Sequence, residues 1–146
     1  MHKSLRVALI TIVACVVAMA PTSAALANQT MAPKNIGVTG MWLGTNYGFE
    51  NGTYKDTPVR YTVIKVDGIA LTGAKQWQMS NGQWSDPESF QGVLYKSGVL
   101  HVVDNDGYLI GELVSPTKIR ATYLEAGEDQ AALVTVLTKA SRGANN

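Results

Sequence analysis

Beyond residue 27 the chain holds one histidine, His101, set between Leu100 and Val102. Imidazole titrates near neutral pH without help, so His101 is a natural candidate for acid–base chemistry. In the run Val99-Leu100-His101-Val102-Val103 it reads equally as a strand residue among valines. A Ser–His–Asp triad would have to use it, but the chain has no Gly-x-Ser-x-Gly elbow to present the serine. Glu112 and Tyr123 are further candidate acids or bases. Arg120 stands where a cross-strand pair with Glu112 would form. Pointing inward, that pair would anchor a polar ligand group; pointing outward, it would be an ordinary surface pair. Trp77 and Trp84 flank one long polar loop, and Tyr47 and Phe49 stand beside another. Aromatics so placed stack on a ligand or partner, or else Trp77 belongs to the core and Trp84 pins its own loop. These residues form no legible catalytic constellation, and none is assigned a catalytic role.

Metal chemistry finds little support. Asp104-Asn105-Asp106-Gly107 has the outline of a calcium loop. With Asp104 as first ligand the twelfth position is Ser115; with Asp104 as third it is Leu113. An EF-hand needs Glu there, so the segment reads as a hairpin turn. One His and no Cys beyond residue 27 leave no set of zinc ligands. No metal or cofactor is expected. Asn51-Gly52-Thr53 is a glycosylation sequon in form only.

The first 27 residues have the layout of an export signal. His2, Lys3 and Arg6 form a positive start, residues 7–19 are uncharged and apolar, and Pro21 breaks the run. Small residues then lead to Ala25-Leu26-Ala27, which places the cut between Ala27 and Asn28. The apolar run is too short to span a bilayer, which takes about 20 residues. Ile12-Val13-Ala14-Cys15 superficially matches a lipobox, but Arg6 lies close before it and apolar residues continue beyond it. Cys15 is the only cysteine, so cleavage leaves none for a disulfide or a thiolate site. The reading is a periplasmic or secreted protein with no stable membrane anchor.

After residue 27, ten basic and eleven acidic residues remain, with no charge run. That balance argues against nucleic acid as a partner. The 119 residues suit one domain with a real core. Residues 28–38 read as a polar leader, 39–139 as the domain and 140–146 as a frayed tail. Within the domain, strands are expected at 40–47, 59–66, 69–78, 89–96, 99–104, 108–114, 118–124 and 131–139. Asn51-Gly52 and Pro58 break the chain after the first strand. Asp67-Gly68 reads as a type I′ hairpin turn, and residues 79–88 as a loop. A short helix over 125–133 is the local alternative, though Val134-Thr135-Val136 favours strand. Short connections demand antiparallel neighbours, and closure removes exposed edges. The expected fold is therefore all-β, an eight-stranded antiparallel up-and-down barrel. Its interior would be filled by side chains or hold one small ligand. Ile119, Ala121 and Tyr123 share one face of their strand, opposite Lys118, Arg120 and Thr122.

Gly37-Val38-Thr39-Gly40-Met41-Trp42 resembles the Gly-x-Thr-Gly-x-Trp opening of the avidin and streptavidin barrels, and Gly40-x-Trp42 also matches the lipocalin signature. Asp67-Gly68-Ile69-Ala70-Leu71-Thr72-Gly73 is similar to the second avidin hairpin. The resemblance to these calycin-like barrels implies structural roles for Gly40 and Trp42. The Trp would plug one end of the barrel under a basic side chain from a late strand, Arg120 or Lys139. Tyr123 stands where avidins carry a Trp, and the late biotin-contacting Asp has no counterpart. The resemblance implies the barrel without a biotin site. The function expected first is binding of a small, partly apolar or aromatic ligand, with Tyr47, Trp77, Trp84, His101, Glu112, Arg120 and Tyr123 as candidate contacts. A filled barrel that engages a protein partner through its loops is the alternative. A barrel cyclase or isomerase using Glu112, Tyr123 or His101 is the second.

Overall fold

The computed structural model describes residues 37–141. The proposed export signal, most of the leader and residues 142–146 lie outside the described residues.

Eight antiparallel strands follow one another around a closed barrel: β1 (Gly40–Glu50), β2 (Thr53–Asp67), β3 (Ala70–Trp77), β4 (Glu88–Leu94), β5 (Val99–Val103), β6 (Gly107–Ser115), β7 (Lys118–Glu125) and β8 (Ala131–Lys139). No helix occurs among the described residues: within 125–133, Glu125 ends β7, a turn follows, and β8 begins at Ala131. The seam runs from Trp42↔Lys139 to Glu50↔Ala131, so first and last strand pair and no edge is left open. Residues one apart face opposite sides. On β7 this turns Ile119, Ala121 and Tyr123 inward and leaves Lys118, Arg120 and Thr122 outside.

The first two strands extend well beyond their expected ends. Asn51 (φ 49°) and Gly52 (φ 71°) are both left-handed, the pattern of a two-residue type I′ turn between the paired Glu50 and Thr53. Pro58 is thus inside β2, opposite Thr45. Its carbonyl accepts from Gln78 N at 2.9 Å, so its ring nitrogen also faces the β3 side, beyond the last ladder pair Val59↔Trp77. No ladder bond to β1 is lost, and the proline is tolerated. The turn after β2 also differs from the expected type I′. Gly68 (φ 59°) alone is left-handed, and Gly68-Ile69 link the paired Asp67 and Ala70, the type II′ arrangement with glycine first.

The interior divides into two halves. At the base, Trp42, Tyr61, Phe90, Leu109, Ile119 and Leu137 are buried in one apolar cluster. The space left there is about 30 Å³, a small void. Val38, placed in the leader by the sequence, is buried in this cluster, and its carbonyl accepts from Trp42 Nε1 at 2.8 Å. Lys139 Nζ lies 5.7 Å from the Trp42 ring. Small inward residues let the wall curve: a Cβ on Gly44 would overlap the carbonyl oxygen of Val136, and one on Gly73 that of Thr62.

Candidate functional site

The opposite half of the barrel is open. Its rim is the β1–β2 turn, the 78–87 loop, the β5–β6 turn and the β7–β8 turn. Between them lies a cavity of about 790 Å³. Val59, Trp77, Met79 and Leu133 give it apolar walls; Asn46, Lys75 and Tyr123 give it polar groups. The volume is in the range of small-molecule pockets, and the lining mixes apolar with polar and charged side chains.

Strand alternation delivers the polar groups. Leu71, Gly73, Lys75 and Trp77 are the inward residues of β3, so the apolar file that fills the base carries a lysine as it climbs toward the mouth. Leu100 and Val102 do the same on β5, and the next inward position is Asp104. Lys75 Nζ meets Asp104 Oδ2 at 2.7 Å; their side chains are 7% and 2% exposed. Glu88 Oε2 lies 3.0 Å from the same ammonium group, a Coulombic contact outside hydrogen-bonding geometry. Lys75 also donates to Tyr123 Oη at 3.3 Å and sits 4.5 Å from the centre of the Tyr123 ring. The Trp77 ring is 5.7 Å away.

Asp104 is fixed from its other side. Its Oδ1 accepts from the backbone of Asp106 at 3.1 Å and Gly107 at 2.8 Å, which closes the β5–β6 turn. Tyr123 Oη has one proton and two carboxylate acceptors, Asp104 Oδ1 at 3.3 Å and Glu125 Oε2 at 3.4 Å. Beneath the group lies Tyr61, whose buried hydroxyl has no hydrogen-bond partner. Across the cavity Thr135 Oγ1 donates to Asn46 Oδ1 at 2.7 Å.

The electrostatics follow from burial and crowding. Burial disfavours the Lys75 ammonium, but its hydrogen bond to Asp104, the field at Tyr61 and the nearby Glu88 outweigh that and raise its pKa. Lys75 is therefore a fixed cation at neutral pH, unlike a nucleophilic lysine, which must shed its proton. Burial raises the Glu88 carboxyl, opposed by Lys75 and reinforced by Asp106. Burial and Asp106 likewise raise Glu125. Both phenols are pushed up, chiefly by burial, and Asp104 adds to the effect at each. The arrangement offers preorganised hydrogen bonding and charge, which suits recognition.

Of the residues singled out in sequence, the fold brings Trp77 and Tyr123 to the cavity. Tyr47, His101, Glu112 and Arg120 stand on the outer wall: Glu112 and Arg120 are direct partners across β6 and β7, and His101 packs edge-on to Tyr95. Of the two placements open to the Glu112–Arg120 pair, the register gives the outward one, an ordinary cross-strand surface pair. Trp84 lies outside as well, under the guanidinium of Arg60 at 4.4 Å. Lys75, Glu88, Asp104, Tyr61, Asn46 and Thr135 were not singled out as contacts. The available signal was alternation: a charged residue two positions beyond an inward apolar one.

No protein-family model matches the chain, and no curated protein matches it. Among solved structures it is similar to a redesigned β-barrel, with 15% identity and a TM-score of 0.52 over 70% of this chain and 91% of that one. At that identity the likeness shows the barrel fold alone.

Proposed function

We infer that the protein is exported and binds a small, partly apolar molecule in the open half of its barrel. The observation that carries the reading is the contrast between the halves: a filled base, and a mouth cavity of about 790 Å³ walled by both apolar and hydrogen-bonding groups. The charged n-region, apolar run and Ala25-Leu26-Ala27 support export, and the Gly-x-Thr-Gly-x-Trp opening supports a calycin-like binding barrel. A thermal-shift screen of small aromatic and amphiphilic compounds tests the binding. A ligand at a hundred times its Kd adds about 2.7 kcal/mol of stability. Trp77→Ala should abolish the shift of a compound bound in the cavity; a shift unchanged in that variant, or none across the screen, overturns the site. For export, cell fractionation with intact-mass measurement should find a protein beginning at Asn28. A retained Met1 would remove that part of the reading.

One observation favours a second reading, a module that engages a protein through its loops. Phe49 and Tyr54 are both 59% exposed and meet edge-to-face, 5.9 Å apart, beside the β1–β2 turn. Paired exposed aromatics are common anchors at interfaces. Phe49→Ala with Tyr54→Ala should then abolish partner capture from the exported fraction while leaving small-molecule binding intact. Capture that survives the double variant counts against it.

A further inference from the structure

We propose that the mouth cavity takes a ligand carrying one positively charged nitrogen on an apolar body, with the charge seated between Glu125 and Asp106 and the body against Trp77. This rests on the binding reading above and names the chemical class that fits it.

The first ground is where the acids lie. The chain has eleven acidic and twelve basic residues, so it is nearly balanced as a whole. Five of the acids line this one cavity: Glu50, Asp56, Asp106, Glu125 and Asp129. Glu88 and Asp104 stand directly behind Lys75. The lining supplies only two lysines against them, Lys55 and Lys75. Lys75 is already engaged by two carboxylates, and Lys55 sits 4.0 Å from Glu50. Among the described residues, neither Asp106 nor Glu125 has a cation within 4.0 Å. A concave site of one sign focuses the field on whatever enters it.

The second ground is the cavity itself. It has room for a ligand body, and it pairs carboxylates with an indole face, the combination that favours an ammonium ion on an apolar frame. The protein already holds one ammonium group in this way, Lys75 between Asp104, Glu88 and the rings of Tyr123 and Trp77. A third ground is mutual repulsion. Burial raises the carboxyls of Glu88 and Glu125, and Asp106 raises both further, so an arriving cation would relieve part of the repulsion among like charges. An anionic ligand would add to that repulsion and would have only the engaged Lys75 and the half-buried Lys55 to meet it.

The test uses matched probes titrated calorimetrically into the protein. Tryptamine, 3-ethylindole and indole-3-propionate share one ring; hexylamine, hexanol and hexanoate share one chain. The amine of each set should bind roughly tenfold tighter than its neutral partner, and the carboxylate weakest. Added salt should erode that preference. Glu125→Gln and Asp106→Asn should each reduce it severalfold, and Asp106 is on an exposed turn where the change is tolerated by the fold. An amine no tighter than its neutral partner in both sets, or a preference that both variants leave intact, overturns the charge assignment while binding in the cavity stands. No binding by any of the six, with the Trp77 indole signal unmoved in NMR, overturns both.

Discussion

Lys75 shows how one residue carries the polar half of the barrel. Its ammonium group neutralises an Asp104 that is almost wholly withdrawn from water. Lys75→Met would leave that carboxylate buried and unpaired, which costs about 3–5 kcal/mol. Urea denaturation should show the loss at neutral pH. In wild type the raised Lys75 pKa means its stabilising contribution is complete below the ordinary lysine value of 10.5 and disappears as pH climbs through the raised one. Unfolding at strongly alkaline pH is expected. Glu125 runs the other way along the scale. Its carboxyl is raised above 4.5, so folding favours the protonated form, and that contribution is lost as pH rises through the raised value. Glu125→Gln should therefore increase Tm at neutral pH, and the difference from wild type should vanish below the carboxylate range. A lower Tm for the variant at neutral pH would contradict the direction of the shift.

At the scale of strands, much was legible. The order and number of strands follow from alternation and turn residues, and β8 spans the residues expected for it. What failed was local. In the sequence Asn51-Gly52 and Pro58 stand alike as breakers of a polar loop, although Asn-Gly has the chemistry of a tight turn. A proline disqualifies a strand only where its nitrogen must donate, and which flank Pro58 turns to β3 depends on register. Register also decided the Glu112–Arg120 pair: the adjacency was readable, the side of the wall was not. The seam between β1 and β8 rests on Gly44, where any side chain would strike the backbone of Val136. Gly44→Ala should destabilise the barrel by about 3 kcal/mol, measured as a lower urea midpoint, because overpacking there forces the two strands apart.

For the molecule as a whole, closure matters most. β1 and β8 meet only after the chain between them has been laid down, so the topology is rich in distant contacts. Folding on the order of milliseconds to seconds is expected in stopped-flow refolding. Removing β8 would expose the edges of β1 and β7, and the product should aggregate rather than fold to a monomer. A soluble, cooperatively unfolding seven-stranded product would show that closure is dispensable. At the base, Trp42 is fully buried and replacing it with Ala should cost about 3–5 kcal/mol in the same denaturation experiment. The two ends thus differ: the base is packed and holds the barrel together, and the mouth is left open.

The sequence by itself determined the class of fold. Period-two apolar patterning and closely spaced turn residues permit little besides an antiparallel barrel, since those signals are local and survive without knowledge of partners. It also carries the features that support export. Tertiary structure alone decided which residues meet in the cavity and behind it. Lys75, Glu88 and Tyr123 come from three strands and Asp104 from the turn after β5, and they meet only because the barrel closes with one register. Shifting a strand by one residue would exchange its inner and outer faces, and no local pattern fixes that choice where both faces are mixed. His101, the residue whose chemistry stood out in the sequence, was turned outward by the same rule that turned Tyr123 in.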